Sequence, residues 1–247
     1  MEFILICILI MAFLYASVGH GGASGYHAVM ALFAVEAILM KSTALTLNIF
    51  VAGISFYHYQ KAGYFRWKLF LPFALGSIPL AYLGGAIDIQ EEIYKGILGV
   101  FLVFAVLRML GIIGKEKEGL VKLPFGLGII FGGILGFISG LIGIGGGIIL
   151  SPVLLIFRWA KMKEAAAISS LFIFVNSISG LIGIVNSGNY KPIDDIWVWI
   201  IIAIIGGFVG SYFGSKKISS KGVQYLLAFV LSLASIKLLV SFFESIA

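Results

Sequence analysis

The sequence predicts an all-α polytopic membrane protein made of two inverted repeats, each a glycine-rich broken-helix hairpin followed by three transmembrane helices. Three observations carry that expectation. The 247 residues are 61% apolar and only 11% charged, with mean hydropathy +1.12, whereas soluble domains carry about 25% charged residues. Apolar segments fall in a five-plus-five pattern along the chain. A glycine cluster that would break a helix occurs twice, as Gly19-His20-Gly21-Gly22 with Gly25 close behind, and as Gly143-Ile144-Gly145-Gly146-Gly147.

Taken in order, the apolar segments run over about 3–18, 24–35, 43–59, 69–87 and 93–113, then about 124–142, 148–157, 165–186, 196–214 and 222–243. Spans of roughly 17 to 25 apolar residues can cross a bilayer as helices. Segments 24–35 and 148–157 are too short to cross alone and read as half-helices. The charged run Gly114-Lys115-Glu116-Lys117-Glu118-Gly119 separates the halves. One transmembrane domain, 1–247, is therefore expected, with repeat 1 over 1–113, a linker over 114–122 and repeat 2 over 123–247. The start Met1-Glu2 lacks the basic region of a secretory signal, so Phe3 to Val18 reads as part of the mature fold. The lone Cys7 rules out an intrachain disulfide.

The halves also match in places. Gly19, Gly21 and Gly22 align with Gly143, Gly145 and Gly146, and Gly76, Tyr82 and Gly84 align with Gly206, Tyr212 and Gly214, which points to an internal repeat. If each glycine cluster is the tip of a hairpin that returns to its own side, one face collects Lys61, Arg66, Lys68, Arg108, Lys115, Lys117, Lys122, Arg158, Lys161, Lys163, Lys216, Lys217 and Lys221, and the other keeps Lys41, Lys95 and Lys191. The sparse face also holds Glu2, Glu36, Asp88, Glu91, Glu92, Asp194, Asp195 and Glu244. Basic loops stay in the cytoplasm, so both termini are expected outside it, in a multi-pass protein of the cell (inner) membrane. A hairpin plus three crossings is an odd number, so the second half is expected upside down relative to the first.

The net charge of +6 sits in short loops between apolar spans, so it reports orientation in a lipid bilayer and names no nucleic acid as partner. His20, His27 and His58 have no cysteine or carboxylate partner at ligand spacing, and no P-loop, nucleophile elbow or HExxH occurs. An enzyme is not expected, and neither cofactor nor metal is called for. The broken helices instead present half-helix N-termini with free N–H groups, a ready site for a small anion. Glycine-interrupted segments at matching places in two halves point to the binding site of a secondary transporter.

The candidate substrate-binding residues are Gly19, His20, Gly21, Gly22, Ser24 and Gly25 in the first tip and Gly143, Gly145, Gly146 and Gly147 in the second. The next helix of each half adds Thr43, Thr46 and Asn48, and Ser169, Ser170 and Asn176. The competing reading of the glycines is close helix packing; that of His20 is a hydrogen bond to a neighbouring carbonyl. No Lys or Arg lies within ten residues of either cluster, so recognition of the anion without a charged side chain is expected. Arg108 and Lys237, at the ends of the last helices, are expected to snorkel to the interface, with attraction of the substrate as the lesser reading.

These residues resemble the sulfite exporter TauE/SafE family, also called the 4-toluene sulfonate uptake permease family. Tyr15-Ala-Ser-Val-Gly-His-Gly-Gly-Ala-Ser-Gly25 and Gly140-Leu-Ile-Gly-Ile-Gly-Gly-Gly-Ile-Ile-Leu-Ser-Pro152 look like its two glycine-rich repeats. The second keeps the family's proline at Pro152; the first has Ala28 there and His20 among the glycines. The resemblance spans essentially the whole chain. It implies transport of small sulfur-containing anions such as sulfite or an organosulfonate, driven by an ion gradient, with a proton or sodium as coupling ion. A channel or a nickel- or cobalt-type metal-ion transporter using His20 and His27 is the alternative, and a membrane scaffold a third class. Nothing in the sequence sets an oligomeric state.

Overall fold

A computed structural model describes residues 2–113, 119–216 and 221–246; the first part of the expected linker, 114–118, with Lys115 and Lys117 of the charge count, and Lys217 lie outside them. The described residues form ten helices and no strands: α1 (Glu2–Ser17), α2 (Ala23–Leu32), α3 (Ala37–Lys61), α4 (Trp67–Ala86), α5 (Glu91–Met109), α6 (Phe125–Ile142), α7 (Gly147–Ile156), α8 (Met162–Asn186), α9 (Ile196–Lys216) and α10 (Lys221–Ile246). Six are long and apolar enough to cross a membrane: α3, α4, α6, α8, α9 and α10. Charges at Glu91, Glu92, Lys95 and Arg108 set the nineteen-residue α5 apart.

Both short helices turn back toward the start of the helix before them. The rings of Phe3, at the start of α1, and Phe33, just past α2, are 5.9 Å apart. Those of Phe131 in α6 and Phe157, just past α7, are 5.6 Å apart. In each case the two arms of a hairpin end on the same side, and α2 or α7 does not complete the crossing that α1 or α6 began.

The helices pair across the halves. α1 lies on α9 and α6 on α4, while α3 and α8 pack on each other at the centre. The outer pairs need glycine because backbone meets backbone. A Cβ on Gly210 would stand 2.1 Å from Phe13 O, and one on Gly76 2.1 Å from Ile129 O. No side chain fits at such a distance, and small residues are what let membrane helices approach so closely. The aligned glycines 76, 84, 206 and 214 are thus packing positions, Gly214 against Ser17 at the end of α1.

α3 and α8 start earlier than their apolar runs because polar residues in their first turns have structural partners. Lys41 Nζ donates to Gly85 O and Ile87 O, both at 3.1 Å, at the end of α4. Lys163 Nζ donates to Ser215 O at 3.3 Å near the end of α9 and to Tyr64 Oη at 3.2 Å. A cation at a helix C-terminus satisfies free carbonyls and opposes the dipole. The Lys161 N–H, just before α8, donates to Glu164 at 2.9 Å, an N-terminal cap.

Candidate functional site

Each tip is a short non-helical link, residues 18–22 or 143–146, entered from the C-terminus of the hairpin's first arm. Gly19 (φ 78) and Gly22 (φ 101) in one, and Gly143 (φ 76), Gly145 (φ 77) and Gly146 (φ 75) in the other, hold left-handed backbone. Such angles cost a residue with a Cβ about 1–2 kcal/mol. A tyrosine hydroxyl caps each arm: Tyr59 Oη donates to Ser17 O at 3.0 Å, and Tyr94 Oη lies 3.3 Å from Ile142 O.

From these opposite starts the two links converge on the same pair of side chains. A Cβ on Gly21 would stand 2.6 Å from Asn48 Oδ1 and 2.8 Å from Ile173 Cγ2; one on Gly145 would stand 2.8 Å from Asn48 Nδ2 and 2.7 Å from that same Ile173 carbon. Asn48 is fully buried. Its amide donates to Ile144 O at 3.4 Å, while its Oδ1 has no partner, and Asn176 Oδ1 and Ser177 Oγ are likewise unpartnered among the described residues. Buried polar atoms without partners are uncommon. The N–H groups of Gly21, Gly22, Ala23, Gly145, Gly146 and Gly147 find no backbone acceptor among the described residues, as expected where half-helices begin. The junction therefore offers donors and acceptors that the protein itself leaves unused.

The other candidate residues are placed less uniformly. Gly147 opens α7 against Ile173, where a Cβ would stand 2.4 Å from Cδ1. Ser24 Oγ donates to Tyr15 Oη at 2.8 Å, and Gly25 lies under the Tyr15 ring, so both fasten α2 to α1. Thr43 accepts from Ile193 N–H at 2.9 Å, and Thr46 donates to Ser42 O at 2.8 Å and lies 3.4 Å from Tyr190 Oη; they hold the segment before α9. Ser170 and the Asn176 amide bond back to their own helix, at Ala167 O and Phe172 O. Of the polar candidates on the helices it is thus Asn48, beside the apolar Ile173, that touches both tips.

His20 does bond a neighbouring carbonyl, and more. Its Nδ1 is 3.0 Å from Val18 O, which can only accept, so Nδ1 carries the proton. Nε2 then accepts from Ser151 Oγ at 3.1 Å, and Ser151 lies 2.7 Å from Ser169 Oγ. This chain joins the first tip to α7 and α8 of the other half. His27 is held between Ala23 O and Tyr94 Oη, both at 2.8 Å.

A cavity flanks the junction on each side. One of about 290 Å³ beside the second tip is lined by Lys41, Ser42, Asp88, Glu91, Tyr94 and Asn189 among others. One of about 90 Å³ beside the first tip is lined by Ser17, His20, Arg108, Ser151 and Lys163 among others. Arg108 overturns the expectation of snorkelling: it is 7% exposed. With it falls the expectation that no charged side chain stands near the tips, because α5 brings the guanidinium in from far along the chain. Lys237 does reach outward, donating to Leu32 O at 3.1 Å at the exposed end of α2.

Broken-helix hairpins meeting among crossing helices, with unused hydrogen-bonding groups at the junction, define a membrane transporter. Residues 4–238 match the family described as "Sulfite exporter TauE/SafE", and the chain belongs to that family. It is 34% identical over 238 residues to "Probable membrane transporter protein y4hK" of Sinorhizobium fredii, covering 95% of this chain and 96% of that one. It is 32% identical over 210 residues to "Probable membrane transporter protein MJ0441" of Methanocaldococcus jannaschii, covering 80% and 77%. It is 24% identical over 220 residues to "Probable membrane transporter protein YunE" of Bacillus subtilis, covering 80% and 79%. No solved structure matches the chain.

Proposed function

We propose that this transporter moves a small sulfur-containing anion, sulfite or an organosulfonate, across the cell membrane by alternating access, coupled to a proton or sodium gradient. The substrate sits where the two tips meet, against Asn48. The observation that carries the reading is the convergence of Gly21 and Gly145 on Asn48 and Ile173, which sets the open ends of two half-helices, and hence their N–H groups, around one point. The two halves are inverted repeats in this reading, and the reciprocal pairing of α1 with α9 and α6 with α4 supports it. Arg66, Lys163 and Glu164 come together at one end of the bundle, in keeping with a cytoplasmic basic face and both termini outside.

The metal-ion alternative fares worse because His20 and His27 each already have a partner at both ring nitrogens. Flux of sulfite, sulfate, thiosulfate, taurine and nickel into proteoliposomes, under imposed proton or sodium gradients, tests the proposal. Gradient-dependent sulfite or sulfonate uptake is expected. Nickel flux without anion flux would overturn it, and a terminal tag reached from the cytoplasm would overturn the orientation.

A further inference from the structure

Arg108 is a buried charge with no counter-charge among the described residues. It is 7% exposed, its Nε has no partner among the described residues, and its Nη2 has only the thioether of Met162 at 3.6 Å, a weak acceptor. Burying an ion costs several kcal/mol unless something pairs with it. The cavity of about 90 Å³ that it lines also contains Lys163, and no carboxylate lines it. Lys163 spends two donors on Tyr64 and Ser215, and an ammonium has three. The cavity across the junction differs in kind: its lysine, Lys41, shares the walls with Asp88 and Glu91. One chamber sets two carboxylates against one lysine; the other is lined by two cations and by no carboxylate among the described residues.

We propose that the Arg108 cavity is an oxyanion subsite, a stop for the substrate on the basic side of the first tip, separate from the junction at Asn48. A guanidinium presents a planar fork that pairs two oxygens of a sulfonate, sulfite or similar head at once. The volume suits a one-headed oxyanion, since water occupies about 30 Å³ in the liquid. His20 sets the inner wall: with its Nδ1 proton held by Val18 O and its Nε2 by Ser151, it closes the cavity toward the tip, and its ring has to turn or exchange partners when an anion passes. The inference rests on the transport reading for its ligand and adds to it a charged residue and a side.

The test is equilibrium binding of radiolabelled sulfate and methanesulfonate to the purified protein in nanodiscs, with sulfite flux measured in parallel. Hydrogen bonds to a charged group contribute about 1.5–3 kcal/mol, so Arg108→Gln should weaken binding about ten- to hundredfold, and Arg108→Lys, which keeps the charge but not the fork, less. Should Arg108→Gln fail to fold, Met162→Cys in the Arg108 background reads the same cavity: methanesulfonate should protect that thiol from a charged maleimide, and choline should not. Unchanged binding in Arg108→Gln, or no protection at Met162→Cys at saturating methanesulfonate, overturns the subsite. Wild-type sulfite flux in Arg108→Gln with unchanged binding would sink the subsite alone and leave the transport reading standing. Binding lost on Arg108→Gln, in a protein that moves none of the anions, would sink the transport reading and keep the subsite.

Discussion

The two tips share a backbone and differ in what surrounds it. Both leave their first arm through left-handed glycine, both have a tyrosine hydroxyl at the last carbonyl, and both end at Asn48 and Ile173. At its entry glycine, however, the first tip meets the backbone of α8 at Ala166, and it carries His20 into a hydrogen-bond chain, whereas the second has the apolar Ile144 in that place and meets Lys41 less closely at its own entry glycine. The lesson is that both halves keep the break in the helix while the residues around it differ. At the entry glycine the first tip is the more tightly held of the two, and its chamber is the one with an excess of positive charge.

The sharpest way to break that comparison is to add one methyl group to each tip. Gly19 and Gly143 hold nearly the same φ, so the backbone cost of alanine, about 1–2 kcal/mol, is common to both. The surroundings are not. A Cβ on Gly19 would stand 2.4 Å from Ala166 Cβ and 2.9 Å from Ala166 Cα, whereas one on Gly143 would meet Lys41 at 3.1–3.2 Å. Overpacking against backbone adds about 1–3 kcal/mol. Gly19→Ala should therefore lower the temperature at which the detergent-solubilised protein loses its monodisperse peak far more than Gly143→Ala. Equal losses would mean that the first tip is not wedged against α8.

A smaller effect separates the two asparagines. Asn48 bridges the tips and donates to Ile144 O, while the Asn176 amide is satisfied within its own helix. Removing a buried hydrogen-bond partner costs about 1–3 kcal/mol. Asn48→Ala should depress anion flux about five- to hundredfold, and Asn176→Ala less, with Ser232→Ala, whose hydroxyl only bonds back to Ala228 O, as the silent control. A larger loss at Asn176 than at Asn48 would move the substrate away from the junction and toward Ser177.

Much of this architecture is legible in the sequence because membrane helices advertise themselves. Ten apolar segments give ten helices, and the glycine clusters mark both breaks, since backbone cannot open in hydrocarbon without a reason. What the sequence hides is which polar side chains meet. Thr43 and Thr46 lie on the same helix as Asn48 and look equivalent to it, but the segment before α9 claims them. Ser24 and Gly25 follow the tip directly and face Tyr15 instead. Arg108 shows the opposite failure. Distance along the chain set every basic residue apart from the tips, and packing brings Lys41 against the second and Arg108 beside the first. Helix identity is a local property of the chain, whereas a site assembled from α3, α5, α7 and α8 depends on packing that no local pattern encodes.

The gentlest contrast lies in the two lysines that cap helix ends at opposite ends of the bundle. Lys41 Nζ has carbonyls of Gly85 and Ile87 at 3.1 Å and that of Gly84 at 3.5 Å, all from the last turn of α4, whereas Lys163 has a single carbonyl, Ser215 O, and leans on the Tyr64 hydroxyl and ring, 5.0 Å from the ring centroid. A cation at a helix C-terminus contributes about 0.3–1 kcal/mol when exposed and up to about 2 when partly buried. Methionine keeps the apolar stem and removes only the charge and its donors. Lys41→Met should thus cost stability near the upper end of that range, because three carbonyls at once lose their donor, and Lys163→Met nearer the lower end, because one carbonyl, Ser215 O, does. Heating both variants in the same detergent, with and without added salt, gives the comparison. If Lys163→Met is the more damaging, the lysine is held for its charge in the Arg108 chamber more than for the cap, and the two ends of the protein differ in purpose as well as in strength.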